Sequence, residues 1–163
     1  LMKLFKTLLT ILFISLLSSP SWSVNVFDLV ERNDLYYEKF SDVPFSGEVT
    51  GKYQGSFKNG KFDGTWISYD EDGQLRSKVN YKNGKLDGAW IGYHNNGQLR
   101  SKGNYKNGKL DGAEVEYWIN GQLKSKGNYK SNKKEGAWVR YNEDGTVDKE
   151  YAGTFKDGVR ISD

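Results

Sequence analysis

A block of 24 residues recurs in register through most of this chain. The copies 55–78, 79–102, 103–126 and 127–150 align without a gap, and residues 153–163 begin a fifth copy. Self-similarity at a fixed period of this size is typical of stacked units that share one continuous core. The repeat therefore predicts an elongated protein that offers surface for binding, rather than a globular domain with a deep pocket.

The first 23 residues differ from the repeats in composition. Basic residues open the segment, residues 8–17 are almost wholly apolar, and Ser21 and Ser23 stand where signal peptidase reads small side chains. We expect residues 1–23 to be a secretory signal peptide, with an uncleaved anchor as the alternative. The apolar run is shorter than the roughly 18 residues that span a bilayer. The mature chain is therefore expected in the periplasm, at the cell surface or secreted.

Charge balance and cysteine content exclude several functional classes. Two of the 24 basic residues and none of the 21 acidic residues precede Val24, so the mature chain carries a net charge of +1. This balance removes the main electrostatic driver of nucleic-acid binding, and no nucleic-acid partner is expected. The chain has no cysteine, which excludes disulfides and thiol catalysis.

Turn signals punctuate the repeat twice in every copy. They are Asn59-Gly60, Asp72-Gly73, Asn83-Gly84, Asn96-Gly97, Asn107-Gly108, Asn120-Gly121, Asp144-Gly145 and Asp157-Gly158, with Ser131-Asn132 in the one place without glycine. Such dipeptides favour type I′ turns between antiparallel strands. The chain is therefore predicted to be all-β, an open, twisted antiparallel meander of repeated β-hairpins with no helix after residue 24.

The repeats define the domain organisation of the mature chain, which we expect to be one repeat domain over residues 24–163. Residues 24–54 form an N-terminal capping hairpin and a shortened unit. Residues 55–150 form four 24-residue repeats, and residues 151–163 form a partial C-terminal repeat. The capping hairpin is predicted over Leu29–Tyr37. Atypical terminal units are what a stacked array needs at its ends.

Strand alternation predicts how the side chains divide between the two faces of the sheet. A two-residue turn at Asn83-Gly84 predicts the pairs Tyr81–Leu86, Val79–Gly88 and Ser77–Trp90. This register places Trp90 on the apolar face. Continued through the next turn, it pairs Trp90 with Gly103, so that the indole covers a glycine on the neighbouring strand.

The same register places a recurring set of side chains on the face opposite the tryptophans. The set consists of Ile67, Ile91, Val115 and Val139, of Tyr69, Tyr93, Tyr117 and Tyr141, and of the basic residues Arg76, Arg100 and Lys124. Tyr93 is expected directly across from Arg100. Steps of roughly 10 Å between copies would let one extended partner contact several of them. In the alternative, a bulge at Gly88 turns the aliphatic and tyrosine side chains inward and leaves the tryptophans exposed.

Few residues offer catalytic or metal chemistry. His94 is the sole histidine, and its place in other copies is taken by Asp70, Trp118 and Asn142. Carboxylates recur before glycine at Asp63, Asp87, Asp111 and Glu135, one hairpin apart, where stabilisation of turns explains them better than acid–base catalysis. We expect no enzyme, no metal and no cofactor.

The segments Gly103–Gly112 and Ala89–Tyr93 resemble the variant MORN repeat. Together with Tyr36-Tyr37 and Phe45–Gly47, they make the chain similar to the YwqK-type antitoxin family and to exported 24-residue repeat proteins of bacteria. The resemblance implies an open antiparallel sheet and a binding role as an antitoxin, an immunity-like protein or a lipid or protein attachment module. It implies no catalytic residue.

These features predict an exported, non-enzymatic repeat protein that presents an elongated sheet to a partner protein, such as a toxin or an envelope protein. The alternative is a module that binds anionic lipid or cell-envelope glycan. In that case the tyrosines would stack on the ligand and Arg76, Arg100 and Lys124 would contact its anionic groups.

Overall fold

The computed structural model describes residues 24–162. The strands in this range are β1 (Val24–Asn25), β2 (Leu29–Arg32), β3 (Leu35–Glu38), β4 (Gly47–Thr50), β5 (Tyr53–Lys58), β6 (Lys61–Tyr69), β7 (Leu75–Lys82), β8 (Lys85–Tyr93), β9 (Leu99–Lys106), β10 (Lys109–Leu110), β11 (Gly112–Tyr117), β12 (Leu123–Lys130), β13 (Lys133–Arg140), β14 (Gly153–Lys156) and β15 (Val159–Ser162). The described residues contain no α-helix, as predicted after residue 24, and one short 3-10 turn, Val26–Asp28. The Asn25 side chain caps this turn by accepting a hydrogen bond from the Phe27 amide at 3.1 Å.

The predicted signal peptide, residues 1–23, lies outside the described residues. Within residues 24–162, no helix is both long and apolar enough to cross a bilayer.

One open sheet contains every described strand except β2 and β3, which form a separate hairpin. From β4 onward the strands follow one another in chain order, and neighbours pair antiparallel. Strands β10 and β11 both pair with β9 and together take the place of one strand. Strand β1 lies parallel to β4 at the first edge. The predicted all-β open meander of hairpins is confirmed.

Two kinds of turn alternate along the meander. At one edge, two-residue turns place both central residues at positive φ, as at Asn83 (51°) and Gly84 (80°). Ser131-Asn132 does the same at 50° and 69°. At the other edge only the glycine has a positive φ, and the Gly97 amide donates to the His94 carbonyl at 3.0 Å. These are three-residue loops with a left-handed glycine, so the type I′ prediction is confirmed at the first edge and wrong at the second.

A bulge in the second strand of the first-edge hairpin changes the register but not the face. Tyr81 pairs with Leu86 as predicted, but Val79 pairs with Trp90, and Gly88 lies between at a φ of 108°. The predicted pairs Val79–Gly88 and Ser77–Trp90 are therefore wrong by two residues. Because side-chain direction has a period of two, Trp90 stays on the face of Val79. The alternative prediction was a bulge at Gly88 that turns the aliphatic and tyrosine side chains inward. The bulge is present, but the tryptophans stay on the core face.

A second bulge follows each three-residue loop. Trp90 pairs with Gly103 as predicted, whereas Tyr93 pairs with Leu99, and Arg100 is the extra residue. The predicted pair Tyr93–Arg100 is wrong because the longer loop shifts the register by one residue and the bulge restores it. The same shift occurs between Ser68 and Tyr69.

The core lies on the face of Trp66, Trp90 and Trp138, which we call the tryptophan face. Its buried cluster at the N-terminal end is Leu29, Val49, Phe57 and Trp66. The predicted capping hairpin is present as β2–β3 and packs on this cluster, with the Tyr36 ring 4.9 Å from that of Phe57. The Tyr36 amide donates to the Gly60 carbonyl at 2.9 Å, which joins the hairpin to the first turn of the main sheet.

Glycines at the start of the repeats make room for tryptophan rings. A Cβ at Gly55 would lie 2.4 Å from the Trp66 ring, and one at Gly127 would lie 2.1 Å from the Trp138 ring. The two indole N–H groups donate to the Ser56 and Asn128 carbonyls at 3.1 and 3.0 Å. Ring and glycine therefore form one packing unit within a repeat.

Trp90 packs in the opposite direction. The glycine of its own repeat is replaced by Val79, whose Cβ would clash with a ring placed as Trp66 and Trp138 are. The ring lies on Gly103 of the next repeat instead, where a Cβ would be 2.5 Å from Nε1. The Nε1–H group is buried and has no hydrogen-bond partner among the described residues.

Candidate functional site

The predicted aliphatic and tyrosine residues lie on the face opposite the tryptophans, which we call the ladder face. Its two rows are Ile67, Ile91, Val115 and Val139, and Tyr69, Tyr93, Tyr117 and Tyr141. All eight side chains are half-buried. The rows cross the strands at right angles, so each hairpin adds one residue to each row.

Lysines interleave the aliphatic row. Ile91 pairs with Lys78 on one side and with Lys102 on the other, and Val115 pairs with Lys102 and Lys126. These lysines are exposed while the aliphatic side chains between them are half-buried. Lysine stems can cover apolar neighbours while the ammonium groups stay in water. This row is therefore apolar with a charged outer layer.

Each tyrosine of the ladder face pairs with a leucine or valine instead of a basic residue. Tyr69 pairs with Leu75, Tyr93 with Leu99, Tyr117 with Leu123 and Tyr141 with Val147. Strict alternation along β7 would place Leu75 on the tryptophan face, but the bulge at Arg76 brings it to the ladder face. The leucines widen the apolar part of the ladder face.

Two of the basic residues predicted beside the tyrosines, Arg100 and Lys124, contact groups on the tryptophan face, so their predicted placement is wrong. The Lys124 Nζ atom lies 3.5 Å from Glu116 Oε2 and 4.9 Å from the centre of the Trp118 ring. Glu116 also accepts a hydrogen bond from the buried Ser125 hydroxyl at 3.0 Å. For Arg100, a Cβ on Gly92 would meet the guanidinium at 3.0 Å. The bulge turns these side chains to the other face of the sheet.

Charge pairing at these bulges differs between the repeats. In the third repeat Lys124 pairs with Glu116, and in the fourth the polarity is reversed, with Arg140 Nε 3.5 Å from Asp148 Oδ2. In the first two repeats the position of Glu116 is held by Ser68 and by a glycine. The charged residue at the bulge therefore forms an ion pair in the third and fourth repeats but not in the first two.

Two arginines of the N-terminal repeats line a shared hollow. Within residues 24–162, Arg76 and Arg100 make no ion pair. Together with Asp70, Tyr93 and His94 they surround a volume of about 340 Å³. Guanidinium groups bind carboxylate and phosphate in a bidentate manner, so this hollow suits a small anionic group.

A shallow groove crosses the ladder face between the third and fourth repeats. Ala113, Val115, Ala137 and Val139 contribute its apolar lining, Lys126 its charge, and its volume is about 440 Å³. The small side chains at 113 and 137 are exposed, and they leave this part of the face lower than the tyrosine row. The groove can accept apolar side chains of a partner.

Glu114 takes the tryptophan position of the third repeat and is only 8% exposed. Desolvation by burial, followed by the charge of Glu116, raises the pKa of Glu114 above its ordinary value, against a smaller opposing effect of Lys134. Desolvation, followed by the charge of Glu114, raises the pKa of Tyr129 to about 12. The Tyr129 hydroxyl therefore keeps its proton at neutral pH and can donate it in a hydrogen bond to the Glu114 carboxylate.

The histidine and most of the recurring carboxylates in the described part of the chain contact backbone groups. No group of three or more histidine and carboxylate side chains there is arranged to hold a metal ion. His94 Nε2 lies 3.0 Å from the Tyr117 carbonyl, which places the ring between successive turns. The recurring carboxylates Asp87, Asp111 and Glu135 each accept a hydrogen bond from a backbone amide of the next repeat.

Comparison with known proteins identifies the repeat unit. Residues 62–83, 86–107 and 110–131 match the model of the MORN repeat variant, and they recur at the same 24-residue period as the hairpins. No curated protein matches. The crystal structure of the GtfA/B complex bound to UDP and GlcNAc matches at 15% identity and a TM-score of 0.32, over 81% of this chain and 29% of that chain. This chain thus spans under a third of that protein's length, and its three central repeats are similar to the MORN repeat variant.

Proposed function

We propose that this chain is a non-enzymatic repeat protein that binds a partner protein through its ladder face. The observation that carries the proposal is the pairing of tyrosine with leucine beside an aliphatic row, repeated once per hairpin on one side of a single-layer sheet. Tyrosine is enriched among the few residues that contribute most of the binding energy at protein interfaces, and the surrounding apolar side chains exclude water from them. MORN repeats generally serve as protein- or lipid-binding modules, which supports the same role for this chain.

The placement of the basic residues favours a protein over a lipid on the ladder face. An anionic lipid surface would be expected to meet clustered cations beside the tyrosines. Lys124 and Arg100 instead reach the tryptophan face, and Lys124 is neutralised by Glu116. What remains on the ladder face is an apolar surface with lysines interleaved in one of its rows.

The finer part of the proposal concerns the partner. If residues 1–23 direct export, the partner is an envelope protein or a secreted toxin, and the chain acts as an immunity-like protein outside the cytosol. The resemblance to YwqK-type antitoxins supports a toxin as partner. Coimmunoprecipitation from separated cell fractions tests the compartment independently of the binding face.

A steric variant tests the ladder face. Arginine at the exposed Ala113 should block the groove without removing a core side chain, and capture of a partner from envelope extract should fall by more than about tenfold. Gln122→Arg adds the same charge at an exposed turn and is the matched control. Equal capture by wild type and both variants would contradict the proposal.

Photo-crosslinking provides a second readout that does not depend on affinity. A crosslinking amino acid at Tyr117 on the ladder face should join the chain to the captured protein. The same amino acid at the half-buried Tyr105, on the tryptophan face, should not. Crosslinks from position 105 alone would place the partner on the tryptophan face and contradict the proposal.

The hollow around Arg76 and Arg100 favours a second function, the binding of an anionic lipid headgroup or envelope glycan. Vesicles that contain anionic lipid, and an acidic glycan, are the two probes. The double substitution Arg76→Gln and Arg100→Gln should abolish binding of one of them, while Lys124→Gln should preserve it because Lys124 is already paired. Loss of binding in both variants would contradict a specific role for the hollow.

A further inference from the structure

Pairs of lysines face each other at the two-residue turns of the sheet. The pairs are Lys58–Lys61, Lys82–Lys85, Lys106–Lys109 and Lys130–Lys133. All eight are exposed, and within residues 24–162 none takes part in an ion pair. Like charges directly opposite in a strand pair are destabilising. Four such pairs in succession are therefore unfavourable for folding and need another explanation.

Hydrogen bonds between turns and the preceding hairpins hold the pairs in one row. The Gly84 amide donates to the Phe62 carbonyl at 2.8 Å, Gly108 to Leu86 at 2.7 Å and Asn132 to Leu110 at 2.9 Å. Each turn thus rests on the preceding hairpin, and successive pairs are spaced by two strands, roughly 10 Å. The row is one pair wide and four pairs long.

The nearby carboxylates Asp63, Asp87, Asp111 and Glu135 offset this row only in part, because they are four acids against eight lysines. Asp87 accepts from the Asn107 amide at 3.0 Å and Asp111 from the Ser131 amide at 3.2 Å, so both acids are used to join turns. The eight lysines exceed the +3 net charge of the whole chain, so the rest of the protein is net negative. Positive charge is therefore concentrated at this edge.

The hollow between two successive turns shows which anion the edge suits. Lys61, Lys82, Lys85 and Lys106 line a volume of about 740 Å³ together with one acid, Asp87, and the amide side chains of Asn83 and Asn107. Four cations against one carboxylate leave this hollow net positive. Lysine attracts carboxylate or phosphate as a point charge. Asparagine amides both donate and accept, which matches the hydroxyl groups of a sugar.

We propose that this lysine edge is a binding site for a linear acidic polysaccharide, separate from the ladder-face rows and from the arginine hollow. The narrow row fits one polymer chain. Exposed aromatic rings, on which unpaired bases stack, are missing from the four turns, which disfavours single-stranded nucleic acid. Exposed large apolar side chains, which would enter a membrane, are also missing from these turns.

Paired variants test the site with oligogalacturonate as the probe. Lys106→Gln with Lys109→Gln should weaken binding by about tenfold and reduce its dependence on salt. Lys39→Gln with Lys149→Gln removes the same charge from exposed lysines elsewhere and should leave binding within about twofold. Both double variants should melt no lower than wild type, since neither removes a buried group. Equal weakening by both variants would overturn the proposal.

Three further probes decide the class of ligand. Oligothymidylate and poly-L-glutamate of equal charge, and vesicles with anionic lipid, should all bind more weakly than oligogalacturonate. Tighter binding of any of them would overturn the assignment to a polysaccharide. Oligomers too short to span two turns should also bind much more weakly than longer ones, because contacts at successive pairs add along the row.

Discussion

Single glycines decide whether the tryptophan rings fit on the sheet. Gly127 does not have a positive φ, yet its missing Cβ leaves the space that the Trp138 ring fills. Gly92 resembles it in conformation, but the atoms nearest to an added Cβ are the flexible end of Arg100 and the Ser101 hydroxyl. Comparison of the two positions therefore tests whether the rigid tryptophan ring, rather than the backbone conformation, is what requires a glycine.

We expect Gly127→Ala to lower the free energy of unfolding by about 1–3 kcal/mol, because the rigid indole must leave its place. Gly92→Ala should change it by less than about 1 kcal/mol in either direction, since the arginine can move and alanine reduces the entropy of the unfolded chain. Urea denaturation of both variants measures the difference. A similar loss in the two would show that the ring contact is not the cause.

Glu114 makes stability depend on pH in a defined direction. Burial raises its folded-state pKa above the ordinary value of 4.5, so the folded state holds the proton to higher pH than the unfolded state. Stability should therefore fall as pH rises from 4.5 through the raised pKa. Thermal melts across this range should show the decline in wild type and a flatter profile in Glu114→Gln. A glutamine variant with the wild-type slope would assign the effect to another group.

At the scale of the strand and turn, carboxylates join one repeat to the next. Asp111 Oδ2 accepts from the Ser131 amide at 3.2 Å, and Glu135 Oε2 from the Asp157 amide at 3.0 Å. The sequence predicted stabilisation of turns by these acids, and the hydrogen bonds confirm it with one addition. The turn that each acid stabilises belongs to the following hairpin. Asp63 makes no such bond in the described chain.

Asp111→Ala should therefore destabilise the protein by about 0.5–1.5 kcal/mol through the lost hydrogen bond to the turn. Asp63→Ala removes the same carboxylate where no such bond exists, and it should cost less than about 0.5 kcal/mol. Denaturant midpoints of the two variants give the comparison. Hydrogen exchange at the Ser131 amide should accelerate only in Asp111→Ala.

At the scale of the whole molecule, each strand of the main sheet contacts mainly its neighbours in chain order. Stability should then be close to a sum of units and of interfaces between them. Deletion of residues 79–102 removes one full period and joins Lys78 to Gly103, so the shortened chain should fold cooperatively with a lower melting temperature. Deletion of residues 79–96 breaks the period and should unfold the protein. Unfolding of both would indicate a closed core.

The sequence by itself determined the features that depend on local backbone chemistry. Asparagine–glycine dipeptides located the turns because few other residues accept positive φ. Alternation placed Trp90 and Ile91 on opposite faces of the sheet because side-chain direction has a period of two. The all-β meander, the capping hairpin and the contact of Trp90 with Gly103 follow from these rules.

The tertiary structure alone decided the features that depend on contacts between strands. Loop length at the second edge and the bulges at Gly88 and Arg100 depend on how two neighbouring strands pair. They shift the register of the strands, and the turn dipeptides alone do not predict this shift. The side on which the basic residues lie followed from those bulges and from partners such as Glu116. The lysine edge emerged in the same way, since hydrogen bonds between turns of different repeats align pairs that are 24 residues apart.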